Sequence, residues 1–512
     1  MYIHSALIVA GFVVWAAGAA ASDAEGGGLR AGVAKSDITT SAEGVRINDP
    51  LYAKALVMDD GTTRLAIVAM DVTAIGGIGE VGDDFLPNLR ARIERELGIP
   101  ARNVLVNASH NHPPCRLLCE PPEQLERTFD AVRRAAESMT GVKVGAGEGR
   151  EDRISMNRTL ILKDGKAWTI RHTNPCPPDE EVVGVGPIDP EVGILRIDRL
   201  DGRPFAVVYN FGCHPYLTVP RGGVTADFPG FASGVIEENL GEGVMALFLQ
   251  GALGDITEIL YKDVHRPRDS EPLGILLGLS TLKALHGIET RAGALKVVSE
   301  TIKLPRKTDF DERIAELEAE QAQLLKSLRG TSLNVKTFVP LYIQYTLDPE
   351  HPSDYSFRYL HSEQMGTDEL SEIDAQNKAH LAKYLQNMRT MEKLARIQDK
   401  IATLERHKEI NRAAGEPTVT TEVQGIRIGD FVLVTTATEL CVEIGLNLKK
   451  ASPFEHTFVA ACSNGYLHYG PPAADYVKGG YEVTECFLAP EWQEIYETTA
   501  KAVLQRLEDG NP

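Results

Sequence analysis

Val104-Leu105-Val106-Asn107-Ala108-Ser109-His110-Asn111-His112-Pro113 runs from an apolar, β-prone stretch into two histidines one residue apart. An apolar run that breaks into a polar loop reads as a buried strand carrying functional groups to its end. On an extended segment, side chains two apart share one side, so His110 and His112 can address one metal ion or one scissile group together. Imidazole is the commonest protein ligand for zinc and a common general base, and a strand-to-loop junction suits both roles. For an isolated His-x-His the alternative is a turn with two solvated rings.

Three further segments repeat the design. Val207-Val208-Tyr209-Asn210-Phe211-Gly212-Cys213-His214-Pro215 is a β-rich run that ends in a histidine, with a proline to stop it. Ala246-Leu247-Phe248-Leu249-Gln250-Gly251-Ala252-Leu253-Gly254-Asp255-Ile256-Thr257 breaks from an apolar strand into a Gly-rich turn bearing a carboxylate and a hydroxyl. Phe431-Val432-Leu433-Val434-Thr435-Thr436-Ala437-Thr438-Glu439 puts a carboxylate at a strand end. His110, His214 and Glu439, from separate strand ends, make the ligand inventory of a hydrolytic zinc site.

Short β-rich runs at 65–70, 104–106, 207–211, 244–249 and 431–435 alternate with helix-like stretches at 87–97 and 125–139. This alternation predicts an α/β fold, a large mixed twisted sheet flanked by helices, with the site at strand ends. Residues 309–412 differ in kind. Ile314, Leu317 and Leu324, then Leu381, Leu385, Met388 and Met391, recur at helical spacing among Glu, Lys and Gln. They predict a helical hairpin inserted between two parts of one catalytic domain, 29–308 and 413–510. The aromatic linker at 338–359, with Phe338, Tyr342, Tyr345, Tyr355, Phe357 and Tyr359, either lines a substrate entrance or packs into a core.

These segments, with Ala31-Gly32-Val33-Ala34-Lys35-Ser36-Asp37-Ile38-Thr39, Met156-Asn157-Arg158, Cys462-Ser463-Asn464-Gly465-Tyr466-Leu467-His468-Tyr469 and Tyr481-Glu482, resemble the catalytic domain of the neutral/alkaline non-lysosomal ceramidase family. The resemblance implies zinc held by His110, His214, Glu439 and Tyr469, with a water completing the site. It, and not the spacing, selects Tyr469 over Tyr466. It puts His112, Arg158 and Tyr481 around the substrate carbonyl, with His112 relaying protons and Tyr481 and Arg158 steadying the oxyanion. Thr257 falls where ceramidases carry a serine, and Asp227 where a family Asp stands near the site, as support for a histidine or as a helix cap. His468 is expected to point away from the site.

The sequence also departs from the family. Pro113-Pro114-Cys115-Arg116 replaces the family's Ser-Gly-Pro-Gly-Gly, and Glu258 stands where proline is expected. The implied function is an exported zinc-dependent amidohydrolase of N-acylsphingosine type, cleaving the linear amide of a ceramide-like N-acyl lipid. The alternatives are a zinc hydrolase of another amide or ester, and a non-catalytic binding protein on the same scaffold.

At 512 residues and 43 % hydrophobic content the chain can bury a large core. A net charge of −19 argues against nucleic acid or an anionic membrane as main partner, because both repel it. A small-molecule or lipid amide, with peripheral membrane contact, remains as partner. Residues 1–22 are apolar and end in Ala19-Ala20-Ala21, which reads as a signal peptide cleaved near Ser22 and directs the protein to the periplasm or outside. The stretch lacks Lys and Arg, and 3–21 is long enough to serve as an uncleaved anchor. Seven cysteines leave at least one thiol unpaired; Cys115 and Cys119 are close enough for a local bridge, while Cys213 and Cys462 sit in apolar runs as buried thiols. The remaining histidines, His407 among them, read as surface or structural.

Overall fold

Eight of the apolar runs hydrogen-bond into one sheet, in the order Met245–Gln250, Pro204–Phe211, Glu191–Arg199, Thr140–Arg150, Arg30–Asp37, Tyr52–Asp59, Arg64–Met70, Val104–Ala108. A second sheet pairs Leu295–Pro305, Thr418–Ile428, Phe431–Thr435 and His456–Ala460 in that order. These strands belong to a computed structural model that describes residues 28–112, 117–171, 176–259 and 265–509. The apolar N-terminal stretch, Cys115 and the Pro-rich loop after His112 lie outside the described residues.

Side-chain alternation explains the layering. Phe431 and Leu433 point inward to Leu56, Ile67, Leu195, Val208, Leu247 and Phe458, so the two sheets bury facing surfaces against each other. Val432 and Val434 point outward, against Trp492, Tyr496 and Val503 of helix Trp492–Glu508. The large sheet is covered on its outer face by Phe85–Leu97 and Pro121–Glu137 at one half, and by Asp227–Leu240 and Glu271–Leu285 at the other. Strands buried on both faces are apolar without interruption, which is why they were legible as runs.

Within these two sheets three strand pairs are parallel: Arg64–Met70 with Val104–Ala108, Pro204–Phe211 with Met245–Gln250, and Phe431–Thr435 with His456–Ala460. Their C-terminal ends meet. Gln250 N donates to Asn107 Oδ1 at 2.8 Å, Asn107 Nδ2 to the Ala461 carbonyl at 2.7 Å, and Ala461 N to the Gln250 carbonyl at 2.9 Å. Such ties let three strands from two sheets end side by side. The approach is close: a Cβ on Gly212 would lie 2.4 Å from the Ala252 carbonyl oxygen.

The inserted region contains helices Phe310–Ser327, Val335–Leu347, Ser356–Gln364 and Glu369–Ala414. The expected linker is therefore itself largely helical. Asn334 and Thr337 close a capping box at its start, and the aromatic, β-branched composition with Pro340 hid the helical spacing. Half of its aromatics pack within the insertion itself. Phe338 stacks on Tyr384 at 4.5 Å, and the Tyr345 and Tyr359 hydroxyls donate to Asp374, while Tyr342, Tyr355 and Phe357 are exposed. No helix among the described residues is long and apolar enough to cross a membrane.

Candidate metal centre

The strand Val104–Ala108 has ended by His110, which adopts a left-handed backbone with φ +68°. The same-side argument for His110 and His112 therefore does not hold, because the segment is not extended there. A turn brings the rings together instead, nearly perpendicular with centroids 4.4 Å apart. His110 Nδ1 lies 2.6 Å from the Thr73 carbonyl and His214 Nδ1 lies 2.8 Å from that of Ile256. A carbonyl can only accept, so each Nδ1 carries a proton, which leaves Nε2 as the ligand atom of each ring once that ring is neutral. The two Nε2 atoms converge on one oxygen: His214 Nε2 is 2.9 Å and His110 Nε2 3.3 Å from Glu439 Oε2. His110 Nε2 is buried and has no hydrogen-bond partner.

Glu439–Leu440 pairs in parallel with Tyr469–Gly470, and the register sets Glu439 opposite Tyr469. The Tyr469 hydroxyl lies 3.5 Å from His214 Nε2 and accepts a hydrogen bond from Arg158 at 3.1 Å. The Tyr466 hydroxyl donates to the other Glu439 oxygen, Oε1. Both phenols thus reach the centre, one at the imidazole side and one at the carboxylate.

The charges are arranged for a cation. Burial alone would raise the Glu439 carboxyl, but His110 and His214 hold it well below its usual range. Burial, then Arg158, pushes His214 down to about 3, so its ring is neutral. Burial opposes charge on His110, but Glu439 overcomes it and draws the ring well up. Burial and Glu439 raise the Tyr469 phenol, a direction that a divalent ion beside it would reverse. One donor atom each from His110, His214 and Glu439 lie within 4.8 Å of one another, and two nitrogens with a carboxylate suit zinc.

Of the residues expected around the carbonyl, His112 is closest to this cluster, its ring stacked on Tyr216 at 4.6 Å. Burial and the neighbouring His110 and His214 hold it well below its ordinary value, and its Nε2 has no partner. Arg158 is buried and committed: Nε donates to Glu482, and one terminal nitrogen to the Gly254 carbonyl and to Tyr469. It underpins Tyr469. Tyr481 crosses the Tyr469 ring edge-on at 5.4 Å. Thr257 is bridged through its backbone to His214, while its hydroxyl donates to Glu258 at 3.4 Å. Asp227 supports no histidine. It accepts from the backbone of Thr218 and Phe228 and begins its helix instead of capping it.

Tyr216 escaped the sequence reading, and Glu482 entered it only within the Tyr481-Glu482 motif, without a role. Tyr216 stacks on His214 at 4.7 Å, and Glu482 holds both Arg158 and Thr169. Tyr216 offered one signal, two residues beyond His214. Cys213 and Cys462 are buried free thiols, as is Cys119, whose suggested partner lies outside the described residues.

A second group was not anticipated. His407 from the long insertion helix, His468 and Glu485 also bring three potential donors within 4.8 Å. His468 points away from the first group, as expected, but through a left-handed backbone, φ +55°. His407 Nε2 lies 2.8 Å from Glu485 Oε2, and Arg406 donates to both carboxylate oxygens at 3.0 and 2.8 Å.

No protein-family model and no curated protein matches the chain. Solved structures do. Neutral ceramidase from Pseudomonas aeruginosa superposes with a TM-score of 0.60 at 16 % identity, covering 95 % of this chain and 75 % of that one. A ceramidase complexed with C2 superposes at 0.59 and 15 % identity, covering 94 % and 76 %. The chain has the neutral ceramidase fold, a mixed α/β architecture with a large mixed sheet flanked by helices.

Proposed function

We propose that this protein is a zinc-dependent hydrolase of linear amides, acting on ceramide-like N-acyl lipids. One observation carries the reading: two imidazoles, each fixed by a backbone carbonyl at Nδ1, aim Nε2 at a single carboxylate oxygen of Glu439 beside Tyr469. His110, His214, Glu439 and Tyr469 would hold the ion. Bound there, zinc supplies polarisation of the amide carbonyl and a lowered pKa for water.

The chain's own groups do the rest. His112, neutral and with a free Nε2, takes a proton from the attacking water and returns it to the leaving amine. The Tyr481 hydroxyl, which has no hydrogen-bond partner among the described residues, donates to the developing oxyanion. Arg158 keeps the Tyr469 oxygen in place and Tyr466 fixes the rotation of Glu439. Export is part of the proposal, and intact mass of recovered protein should start near Ser22.

Metal analysis followed by turnover tests the reading. Purified protein should hold about one zinc per chain, and a panel of N-acylsphingosines, N-acylethanolamines and matched esters should be hydrolysed until a chelator is added. Zinc-loaded protein that turns over no amide or ester is a binding protein instead.

A further inference from the structure

We propose that the cavity beside Tyr481 is a subsite for an anionic group carried on the amine side of the amide substrate, so that N-acyl amino acids are preferred over neutral N-acyl amines. The inference rests on the amide-hydrolase reading. The cavity holds about 330 Å³ between strand Ala167–Thr169, the short helix Tyr481–Glu485 and the long insertion helix. Tyr481 forms part of its wall and touches Tyr469 on the other side, so one ring separates the cavity from the candidate metal centre. In this proposal a substrate whose anionic group sits there passes the Tyr481 ring to bring its amide to the centre.

The lining is cationic in a chain whose net charge is −19. Arg171, Arg396, Lys400 and Arg406 face two carboxylates, Asp399 and Glu485. Glu485 is already taken by Arg406 and His407. Arg171, Arg396 and Lys400 have no ion pair among the described residues, and Glu320 is the carboxylate that Lys400 feels through space. Arg396 and Lys400 stand four apart on one helix face, where like charges repel.

Their placement is built. The Arg396 guanidinium lies 3.2 Å over the Trp168 ring, and Arg171 lies 3.6 Å over that of Tyr481, so both cations are held flat on aromatic faces. Among the described residues Arg396 Nε is a buried donor with no acceptor, and so is Nε1 of Trp168 behind it. Burial pulls Arg396 down to about 10 and lowers Lys400 as well, the signature of cations without counter-charge. Orphaned donors beside unpaired guanidinium and ammonium groups call for an oxyanion. A carboxylate fits the available volume.

Calorimetric titration of the zinc-loaded full-length protein with N-dodecanoylglycine, N-dodecanoylethanolamine and inorganic phosphate tests the subsite, with turnover of the two amides measured alongside. The glycine conjugate should bind about tenfold tighter than its neutral match or better, and R396Q and K400Q should each abolish that preference while leaving the ethanolamide's affinity unchanged. Equal affinity of the two amides in wild type, a preference that survives both substitutions, or binding of phosphate with no preference between the amides would overturn the subsite. A preference that holds without any hydrolysis would leave the subsite standing and remove the hydrolase reading. Circular dichroism of both variants separates loss of the site from loss of the fold.

Discussion

Two His-His-Glu clusters lie close to each other, and in the proposed reading only the first holds a metal. In the first, both Nδ1 atoms are pinned by carbonyls, both Nε2 atoms face Glu439 Oε2, and among the described residues no Arg or Lys pairs with that carboxylate. In the second, Arg406 covers both Glu485 oxygens, Thr403 adds a hydroxyl, and His407 Nδ1 is buried without a partner. The same three residue types therefore do different work. Where the imidazoles are fixed from behind and no described guanidinium or ammonium pairs with the carboxylate, the donor set suits a metal cation; where a guanidinium pairs with the carboxylate, the cluster fastens the insertion helix to Glu485.

Metal content gives the sharpest break between the two. His110→Ala, His214→Ala and Glu439→Ala should each lose zinc, while His407→Ala and Glu485→Ala should keep about one per chain. Zinc retained in two of the first three variants, or lost in the latter two, would reverse the assignment.

Chemistry gives the next largest effect. Tyr481→Phe should keep zinc and lose roughly 10²-fold in kcat on the best substrate, the usual scale for one oxyanion donor. An unchanged kcat would leave Tyr481 as a wall of the neighbouring cavity and nothing more.

How much of this was legible in the sequence follows from what each contact depends on. Strand ends carrying His110, His214 and Glu439 were visible because doubly buried strands are apolar runs and their ends are marked by Gly, Pro and polar residues. Convergence of the rings was also expected, but for a wrong reason: the left-handed turn at His110 depends on hydrogen bonds from strands far apart in sequence. The roles of Arg158 and Asp227 changed for the same cause, since Glu482, Gly254, Thr218 and Phe228 come near only in the folded chain. The helices within 335–364 were missed because aromatic and β-branched residues obscure a helical pattern. His407 carried no local signal at all.

The fastening cluster should show itself in stability. Burial would raise the Glu485 carboxyl, but the hydrogen bonds from His407 and Arg406 outweigh it and hold the group below its usual range. A depressed carboxyl contributes stability above its unfolded value, and that contribution is lost as pH falls through the folded one. Glu485→Ala should cost about 1–3 kcal/mol at neutral pH, most of it in faster amide exchange along the C-terminal part of Glu369–Ala414. Exchange there that is indifferent to both the substitution and acid would deny the cluster any fastening role.

The smallest expected effect is at Thr257, next to the metal cluster yet not facing it. Its backbone bridges to His214, whose ring is held by the adjoining Ile256 carbonyl, so the position serves the centre mainly through main-chain geometry. Its hydroxyl reaches Glu258 at 3.4 Å, a long contact. Glu258 is itself pushed up to about 8 by burial and by Asp227, and it accepts the backbone N–H groups of Tyr216 and Leu217. A carboxyl raised in the folded state contributes stability that is complete below its unfolded value and fades as pH climbs towards 8. Thr257→Ser should therefore leave zinc content and kcat within about twofold, and Thr257→Ala should cost about 1 kcal/mol of stability without loss of metal. Glu258→Gln should keep the neutral-pH fold and flatten the decline in melting temperature between pH 5 and pH 8. Loss of zinc in Thr257→Ala would mean that the hydroxyl, and not the strand, holds His214 in place.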